Sequence, residues 1–207
     1  MNTHPYKVVA DFEQALCDYT GAPKAVTVTS CTMALLLAAK LFPWRVVRVP
    51  KRTYVSVPMS VRHAGHDVLF DDIDWLGFYQ LAPLPVFDSA RWFSKGMFEH
   101  IASQFPHLPH IAICVSFHAT KTLGLEQGGA ILHNFPNSTD VRLRRLRFDG
   151  RTVGLAVKDD NITEIGYHAY ISPSVAAMGL LKLSVLPAIN PPLPNDDYPD
   201  LSKYNIF

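Results

Sequence analysis

The sequence is poor in the features that mark several specialised classes of protein. Its three cysteines are widely spaced and none forms a CxxC pair, which argues against a disulfide framework or a zinc site and fits a reducing cytoplasm. Basic and acidic side chains nearly balance, with a formal net charge of +1, so no strong field indicates nucleic acid or a membrane surface. The apolar runs, such as residues 34–39, are far too short to cross a bilayer, and the first residues do not resemble a signal peptide.

The 207 residues contain short apolar segments that alternate with helical patterns. This alternation predicts an α/β fold of three layers, a mainly parallel sheet with helices on both faces. We expect one domain over residues 1–187, followed by an extended tail over residues 188–207, which is rich in Pro, Asn and Asp. In such a sheet, ligands bind at the carboxyl ends of the strands.

The first predicted strand, Ala25 to Val28, is followed by Ser30-Cys31-Thr32 at the predicted start of a helix. A helix start has free N–H groups and a partial positive charge, so this segment can hold a phosphate. The alternative is an ordinary N-cap, because Ser and Thr are common there in any protein.

Two ionisable residues follow later strands. Asp88 ends the predicted strand from Leu84 to Phe87 and can pair with a cationic ring nitrogen, although a helix cap or a surface acid is the alternative. Lys121 follows the strand from Ile111 to Phe117 and can be a nucleophilic amine or a solvated surface charge. A phosphate seat, an acid and an amine together are what pyridoxal 5′-phosphate (PLP) requires.

Several segments, in this order, resemble those of the DegT/DnrJ/EryC1/StrS family of PLP-dependent sugar aminotransferases, which have the fold-type I architecture. Each segment is weak evidence alone, but their common order argues against chance. The segments are Phe12-Glu13, residues 19–21, 30–35, 49–50, 53–56, 64–65 and 72–74, Phe87-Asp88-Ser89-Ala90, Ser116-Phe117-His118-Ala119-Thr120-Lys121, residues 143–150 and 166–183.

The resemblance implies specific roles for the matching residues. Lys121 corresponds to the lysine that forms the Schiff base with PLP, and Asp88 to the acid that faces the pyridine nitrogen, so both are candidate catalytic residues. His168 stands where the family has an asparagine that reaches the partner subunit's cofactor, with a surface histidine as the alternative. The resemblance implies that the cofactor-binding residues are Ser30, Cys31, Thr32, Tyr54, Asp88, Ser116, His118, Lys121 and His168.

The sequence also departs from the family pattern. Cys31 stands where the family has glycine, and only 13 residues separate Asp74 from Asp88, where the family has a longer stretch. The chain ends near the point where the family's smaller C-terminal domain begins. The resemblance therefore implies a shortened member that keeps the PLP-binding large domain over residues 1–187.

The implied function is transfer of an amino group, from glutamate, to a keto-sugar carried on a nucleotide. The family's active sites lie at a subunit interface, so we expect a homodimer. Two alternatives stay open: another PLP reaction on the same site (decarboxylation, elimination or racemisation), or a non-catalytic partner protein derived from the family.

Three further groups of basic side chains are not assigned to a site. Four arginines between residues 142 and 147 have helical spacing and indicate a solvated helix face, with a phosphate contact as the alternative. The pairs His63/His66 and His107/His110 lack a third ligand, so we expect them to be surface residues and predict no metal site.

Overall fold

The computed structural model describes residues 6–195 and 198–207. The predicted tail therefore includes two residues, 196–197, that lie outside the described residues, as do residues 1–5. The helices are α1 Lys7–Thr20, α2 Cys31–Ala39, α3 Ser56–His63, α4 Met97–Gln104, α5 Asn137–Leu146 and α6 Pro173–Ser184. The strands are β1 Lys24–Val28, β2 Val46–Pro50, β3 Asp67–Asp71, β4 Tyr79–Gln80, β5 Val86–Asp88, β6 Ala112–Ser116 and β7 Gly129–His133.

The main sheet has five strands in the order β1-β7-β6-β5-β4, and β2 and β3 form a separate parallel pair. The predicted α/β class is confirmed, but the expectation of a mainly parallel sheet needs a correction. Strands β1, β5 and β6 run in one direction, yet only β5 and β6 pair in parallel within this sheet. The reason is that β7 returns antiparallel to β6 and inserts between β6 and β1, so both of its pairings are antiparallel.

A short strand that the sequence did not predict lies at the edge of this sheet. β4 forms a tight antiparallel pair with β5, closed by backbone hydrogen bonds from Leu81 N–H to Val86 O (2.8 Å) and from Leu84 N–H to Leu81 O (2.9 Å). The N–H of Arg48 donates to Ala82 O at 2.7 Å. The shortened segment after Asp74 thus covers the sheet edge and connects it to β2.

Both faces of the main sheet are buried, as predicted for a three-layer fold. Successive side chains of a strand point to opposite faces, and in β6 Cys114 faces one apolar core while Ile113 and Val115 face the other. The first core contains the buried face of α2, and the second contains Phe12 of α1 and Met97 of α4. This packing fixes the carboxyl ends of β1, β5 and β6 at one edge.

The sequence predicted that the four arginines form a solvated helix face, and this expectation needs a correction: Arg142 is exposed, but Arg147 is buried and Arg144 is partly buried. Arg147 is buried and its guanidinium pairs with the buried carboxylate of Glu13, which also accepts a bond from Arg144 at 2.5 Å. The N–H of Thr27 donates to Glu13 as well, at 2.9 Å. Burial raises the pKa of Glu13, but the charges of Arg147 and Arg144 outweigh that effect and lower it. The arginines therefore tie α5 to α1 and β1 through a buried charge that sequence periodicity does not reveal.

One predicted surface histidine is also buried. His66 is 2% exposed, and its Nδ1 accepts a hydrogen bond from Arg45 N–H at 3.1 Å while Nε2 lies 3.0 Å from Ala39 O. Both ring nitrogens are thus used by the main chain. Among residues 6–195 and 198–207, no helix combines the length and apolar character needed to span a membrane.

Candidate active site

The carboxyl ends of β1, β5 and β6 meet at a cavity of about 320 Å³, at the edge where ligands bind in open α/β sheets. Each of these strands leads to a different part of the cavity lining. β1 is followed by the start of α2, β5 ends at Asp88, and β6 leads into the loop that contains Lys121. All the predicted site residues except His168 line this cavity. The lining residues are Thr29, Ser30, Cys31, Thr32, Leu35, Tyr54, Ser56, Val57, Asp88, Ala90, Ser116, His118, Thr120, Lys121, Gln127, Gly128 and Tyr198.

The start of α2 has the form of an anion seat. Ser30 is the N-cap, as predicted, and its Oγ accepts a hydrogen bond from Met33 N–H at 3.2 Å. A helix offers no internal acceptor to its first amides, so the N–H groups of Cys31 and Thr32 are available to a ligand. The hydroxyl of Thr32 is held 2.8 Å from that of Ser56 on α3.

Gly129 allows this helix start to lie against the sheet. A Cβ at position 129 would lie 2.6 Å from Cys31 N, 2.7 Å from Ser30 C and 2.7 Å from Val115 O. All three are backbone atoms, so only glycine fits without moving the turn. The close approach of β7 therefore fixes the amides of the phosphate seat, and the Gly128-Gly129 pair in the sequence has a structural purpose.

Asp88 is a buried carboxylate, 5% exposed, at the floor of the cavity. Its Oδ2 accepts a hydrogen bond from the Tyr79 hydroxyl at 2.7 Å, and its Oδ1 accepts one from Ala90 N–H at 2.8 Å. Burial raises the pKa of Asp88, while these hydrogen bonds and the charge of Lys121 oppose the rise. The described residues form no salt bridge to Asp88, so a cation entering the cavity would meet a carboxylate without an ion pair.

The negative charge of Asp88 also affects the pKa values of neighbouring side chains. Burial, and next the charge of Asp88, raise the pKa values of Tyr79, Cys31 and Cys114 well above their ordinary range. These thiols and this phenol are therefore neutral near pH 7. Cys31 accordingly behaves as a small neutral wall residue of the cavity.

Lys121 lies in the loop between β6 and β7. Its N–H donates to His118 O at 2.8 Å, and the loop closes where Leu125 N–H donates to Phe117 O at 2.7 Å. The residue is half-buried on the cavity wall. Its charge is close enough to oppose the rise that burial causes in the pKa values of both Asp88 and Cys31. The amine thus shares one cavity with the carboxylate and the helix start.

Three other predicted residues lie at the rim. Tyr54 is 57% exposed and presents its ring at the mouth of the cavity. Ser116 ends β6, and its Oγ lies 3.4 Å from His118 N. The ring of His118 is exposed, with Nδ1 3.0 Å from the Thr120 hydroxyl. Their side chains are thus available to a bound molecule.

His168 lies outside this cavity. Its exposed ring stands 3.1 Å from a carboxylate oxygen of Asp149, and 4.6 Å separates the ring centroids of His168 and Tyr170. Within this chain its side chain does not line the cavity. Its predicted contact with the partner subunit's cofactor stays a prediction.

Sequence reasoning missed several residues of the site. Tyr79 bonds to Asp88 and its hydroxyl lies 2.6 Å from that of Thr53, while Tyr198 lines the cavity from the tail. The position of Tyr79 is explained by the pairing of β4 with β5, in which Tyr79 is the direct partner of Asp88. No local pattern marks Tyr198, because its place depends on how the tail folds back.

The residues present fit PLP. The cavity offers a buried carboxylate, to which none of the described residues forms a salt bridge, for a cationic ring nitrogen. It also offers an amine for an aldehyde and helix-start amides for a phosphate. Among the described residues, no group of three His, Cys, Asp or Glu side chains is arranged to hold a metal ion.

The model of the DegT/DnrJ/EryC1/StrS aminotransferase family matches residues 2–82 and 110–191. The two matched segments include the helix start, Tyr54 and Lys121, whereas Asp88 lies between them. No curated protein sequence matches the chain.

Solved structures of aminotransferases share this fold. The sugar aminotransferase CalS13 from Micromonospora echinospora superimposes with a TM-score of 0.66 at 18% identity, over 87% of this chain and 61% of that one. A DegT DnrJ EryC1 StrS aminotransferase from Brucella abortus superimposes with a TM-score of 0.64 at 21% identity, over 87% of this chain and 59% of that one. DesI, solved in the presence of its TDP-sugar product, superimposes with a TM-score of 0.59 at 23% identity, over 87% of this chain and 53% of that one. The chain thus spans about three fifths or less of the length of these proteins.

Proposed function

The chain belongs to the DegT/DnrJ/EryC1/StrS aminotransferase family, and on that premise we propose that it is a PLP-dependent aminotransferase acting on a keto-sugar. One observation carries the proposal: Lys121, Asp88 and the start of α2 line the same cavity. In this proposal, residues 1–187 hold the cofactor and residues 188–207 form a tail. When bound, the cofactor would act as an electron sink for the carbon that carries the amino group.

Asp88 would bind the ring nitrogen and keep a proton on it. Its two oxygens are already oriented by Tyr79 and by Ala90 N–H, so the carboxylate needs no reorganisation to meet a cation. The cation would in turn offset the burial that raises the pKa of Asp88. The carboxylate is thereby suited to a cationic ring.

Lys121 would carry the cofactor on its Nζ atom. Once the amino donor has displaced it, the same Nζ would take the proton from the carbon that bears the amino group, as general base, and would hold that proton for return in a later step, as general acid. The proposal is supported by the position of Lys121 in the same cavity as Asp88, because the strands β6 and β5 that lead to them are neighbours in the sheet. Lys121 thus serves two steps without a second catalytic base.

The amides of Cys31 and Thr32 would bind the phosphate, with Ser30 and Ser116 beside them. Tyr54, whose ring lies at the mouth, would stack on the cofactor ring. His118, on the lysine loop, would lie near the cofactor. These residues orient the cofactor and exclude water, and they leave the proton transfers to Lys121.

We further propose glutamate as the amino donor and a nucleotide-linked keto-sugar as the acceptor. The nucleotide-linked acceptor is favoured by the likeness to DesI, whose structure was determined in the presence of its TDP-sugar product. Glutamate follows from the family resemblance.

We propose that the protein is a homodimer in the cytoplasm, with His168 reaching the partner subunit's cofactor. Apolar side chains along α6 and the segment after it are exposed, including Leu181 at 66%, Val185 at 80% and Ile189 at 86%. Such a surface is a candidate for burial by a second copy. The free cysteines fit a reducing compartment.

The test is product analysis. Protein loaded with PLP is incubated with glutamate and a nucleotide-linked keto-sugar, and we expect 2-oxoglutarate and the amino-sugar in equal amounts. Loss of carbon dioxide, or racemised glutamate without 2-oxoglutarate, would instead indicate another PLP reaction. Failure to take up PLP would favour the non-catalytic partner protein.

A further inference from the structure

The segment over residues 198–203, here called the strap, lies over the mouth of the cavity. Tyr198 lines the cavity directly. Its ring centroid lies 6.4 Å from that of Tyr54, at an interplanar angle of 61°. The Tyr198 ring is also nearly parallel to that of Trp75, with an angle of 17° between the ring planes and 6.2 Å between the centroids. The phenol ring is therefore part of a continuous aromatic wall.

The strap is tied to the Asp88 side of the mouth through Arg91. The Nε of Arg91 donates to the Tyr198 hydroxyl at 2.7 Å, and the guanidinium carbon lies 4.7 Å from the centre of the ring. Arg91 is three residues after Asp88 in the same loop. Tyr198 is thereby held to the loop that presents the buried carboxylate.

The opposite end of the strap is tied to the Tyr54 side. Leu201 is 2% exposed, and its N–H donates to Lys51 O at 2.8 Å. The carboxylate of Asp200 lies 3.8 Å from Lys51 Nζ, and Asp200 forms a β-bridge with Arg52. Lys51 and Arg52 precede Tyr54, so the strap joins the two loops that flank the mouth.

We propose that Tyr198 is the outer wall of the cavity and controls the access of molecules from solvent to its interior. Tyr198 lines the cavity and its hydroxyl is held by Arg91, and an aromatic ring with a polar tip is suited to contact with a sugar. Resting on the proposed function, we infer that Tyr198 also positions the sugar acceptor against the cofactor. Tyr198 is thus a residue that determines specificity, and the proton transfers remain with Lys121.

Cys31 gives a test of access that needs no cofactor. It lines the cavity and is 8% exposed, whereas Cys114 on β6 is fully buried in the core beneath. The cofactor-free protein is treated with N-ethylmaleimide, and the modification of each cysteine is followed by peptide mass spectrometry. Cys31 reports the opening of the mouth, and Cys114 reports general loosening of the fold.

We expect Tyr198→Ala to speed the labelling of Cys31 by about fivefold or more, because a local opening no longer has to displace the ring. Labelling of Cys114 should stay at the wild-type rate. The matched control is Tyr204→Ala, an exposed residue just past the strap that does not line the cavity, and it should change neither rate. An unchanged rate at Cys31, or an equal increase at both cysteines, would overturn the proposal.

A second readout concerns the acceptor. In the loaded protein, Tyr198→Ala should raise KM for the sugar acceptor by about tenfold while KM for the amino donor stays near the wild-type value. Tyr198→Phe keeps the ring and should restore most of the acceptor's affinity. Equal effects on both substrates would refute the positioning role. Lack of any transamination would refute the proposed function alone, because the Cys31 rates would still decide the access role.

Discussion

The hydroxyl of Tyr79 donates a hydrogen bond of 2.7 Å to Asp88 Oδ2, across the β4–β5 pair in which the two residues are direct partners. The same hydroxyl lies 2.6 Å from that of Thr53, the residue before Tyr54. A two-residue strand at the sheet edge thus orients the carboxylate that we assign to the cofactor ring.

Replacing Tyr79 should weaken the reaction without removing it. Tyr79→Phe deletes a hydrogen bond to a charged group, for which about 1.5–3 kcal/mol is typical, so we expect kcat to fall by about tenfold to a hundredfold. Asp88→Asn, which removes the charge itself, should lower kcat more than Tyr79→Phe does. Steady-state kinetics would measure both. If Tyr79→Phe matched the wild type, the orienting role of Tyr79 would be wrong.

Gly129→Ala should damage the phosphate seat. The added Cβ would lie 2.6 Å from Cys31 N and 2.7 Å from Ser30 C, so the helix start must shift. We expect weaker PLP binding, measured by titration of the cofactor's absorbance, and a lower free energy of unfolding. Gly65→Ala is the matched control, because its Cβ meets no atom within 4 Å and only its φ of +95° is unfavourable. Equal PLP affinity for the two variants would contradict the close-approach argument.

Glu13→Gln should destabilise the fold by about 3–5 kcal/mol at pH 7, because Arg147 would remain a buried charge without its partner. Urea unfolding followed by circular dichroism would measure this. Asp11→Asn in the same helix, which breaks an exposed ion pair with Lys7, should cost at most about 1 kcal/mol. Similar losses for the two variants would argue against the buried network.

The contribution of Glu13 to the stability of the fold should also depend on pH. Its pKa in the folded protein lies below the ordinary value of 4.5, so its ionised form stabilises the fold above pH 4.5. That contribution is lost as the pH falls through the lowered pKa. The difference in stability between wild type and Glu13→Gln should therefore shrink below pH 4.5. A difference that stays constant down to acid unfolding would contradict the assignment.

His168 can be tested by mixing inactive subunits. If each site combines Lys121 of one subunit with His168 of its partner, a mixed dimer of Lys121→Ala and His168→Ala chains contains one intact site. Refolding equal amounts together should restore up to about a quarter of the wild-type activity, since half of the dimers are mixed and each has one good site. Refolding each variant alone is the control. No recovery in the mixture would argue against a shared site.

Much of the fold could be predicted from local pattern. Ser30 before an apolar run predicted the start of α2, and Gly21, which has a φ of +77°, predicted the end of α1. The cavity followed from the rule that ligands meet the carboxyl ends of strands, and that rule placed Asp88 and Lys121 correctly at one edge.

The rest depends on contacts between distant parts of the chain. Glu13 and Arg147 are 134 positions apart, and helical spacing alone cannot show that an arginine pairs with a buried acid. β4 has two residues, too few to produce a strand pattern. Tyr198 reaches the cavity only because the strap folds back onto Lys51 and Arg91. These three features are tertiary in origin.

The proposed reaction requires Lys121 to carry the cofactor, and peptide mass mapping after borohydride reduction would locate the attachment. Wild-type protein incubated with PLP and then reduced should carry one stable pyridoxyl phosphate group on the peptide containing Lys121, with Lys182 on α6 left unmodified. The Lys121→Ala protein should carry none. Attachment to other lysines at the same level, or an unmodified Lys121 peptide in the wild type, would show that Lys121 does not carry the cofactor.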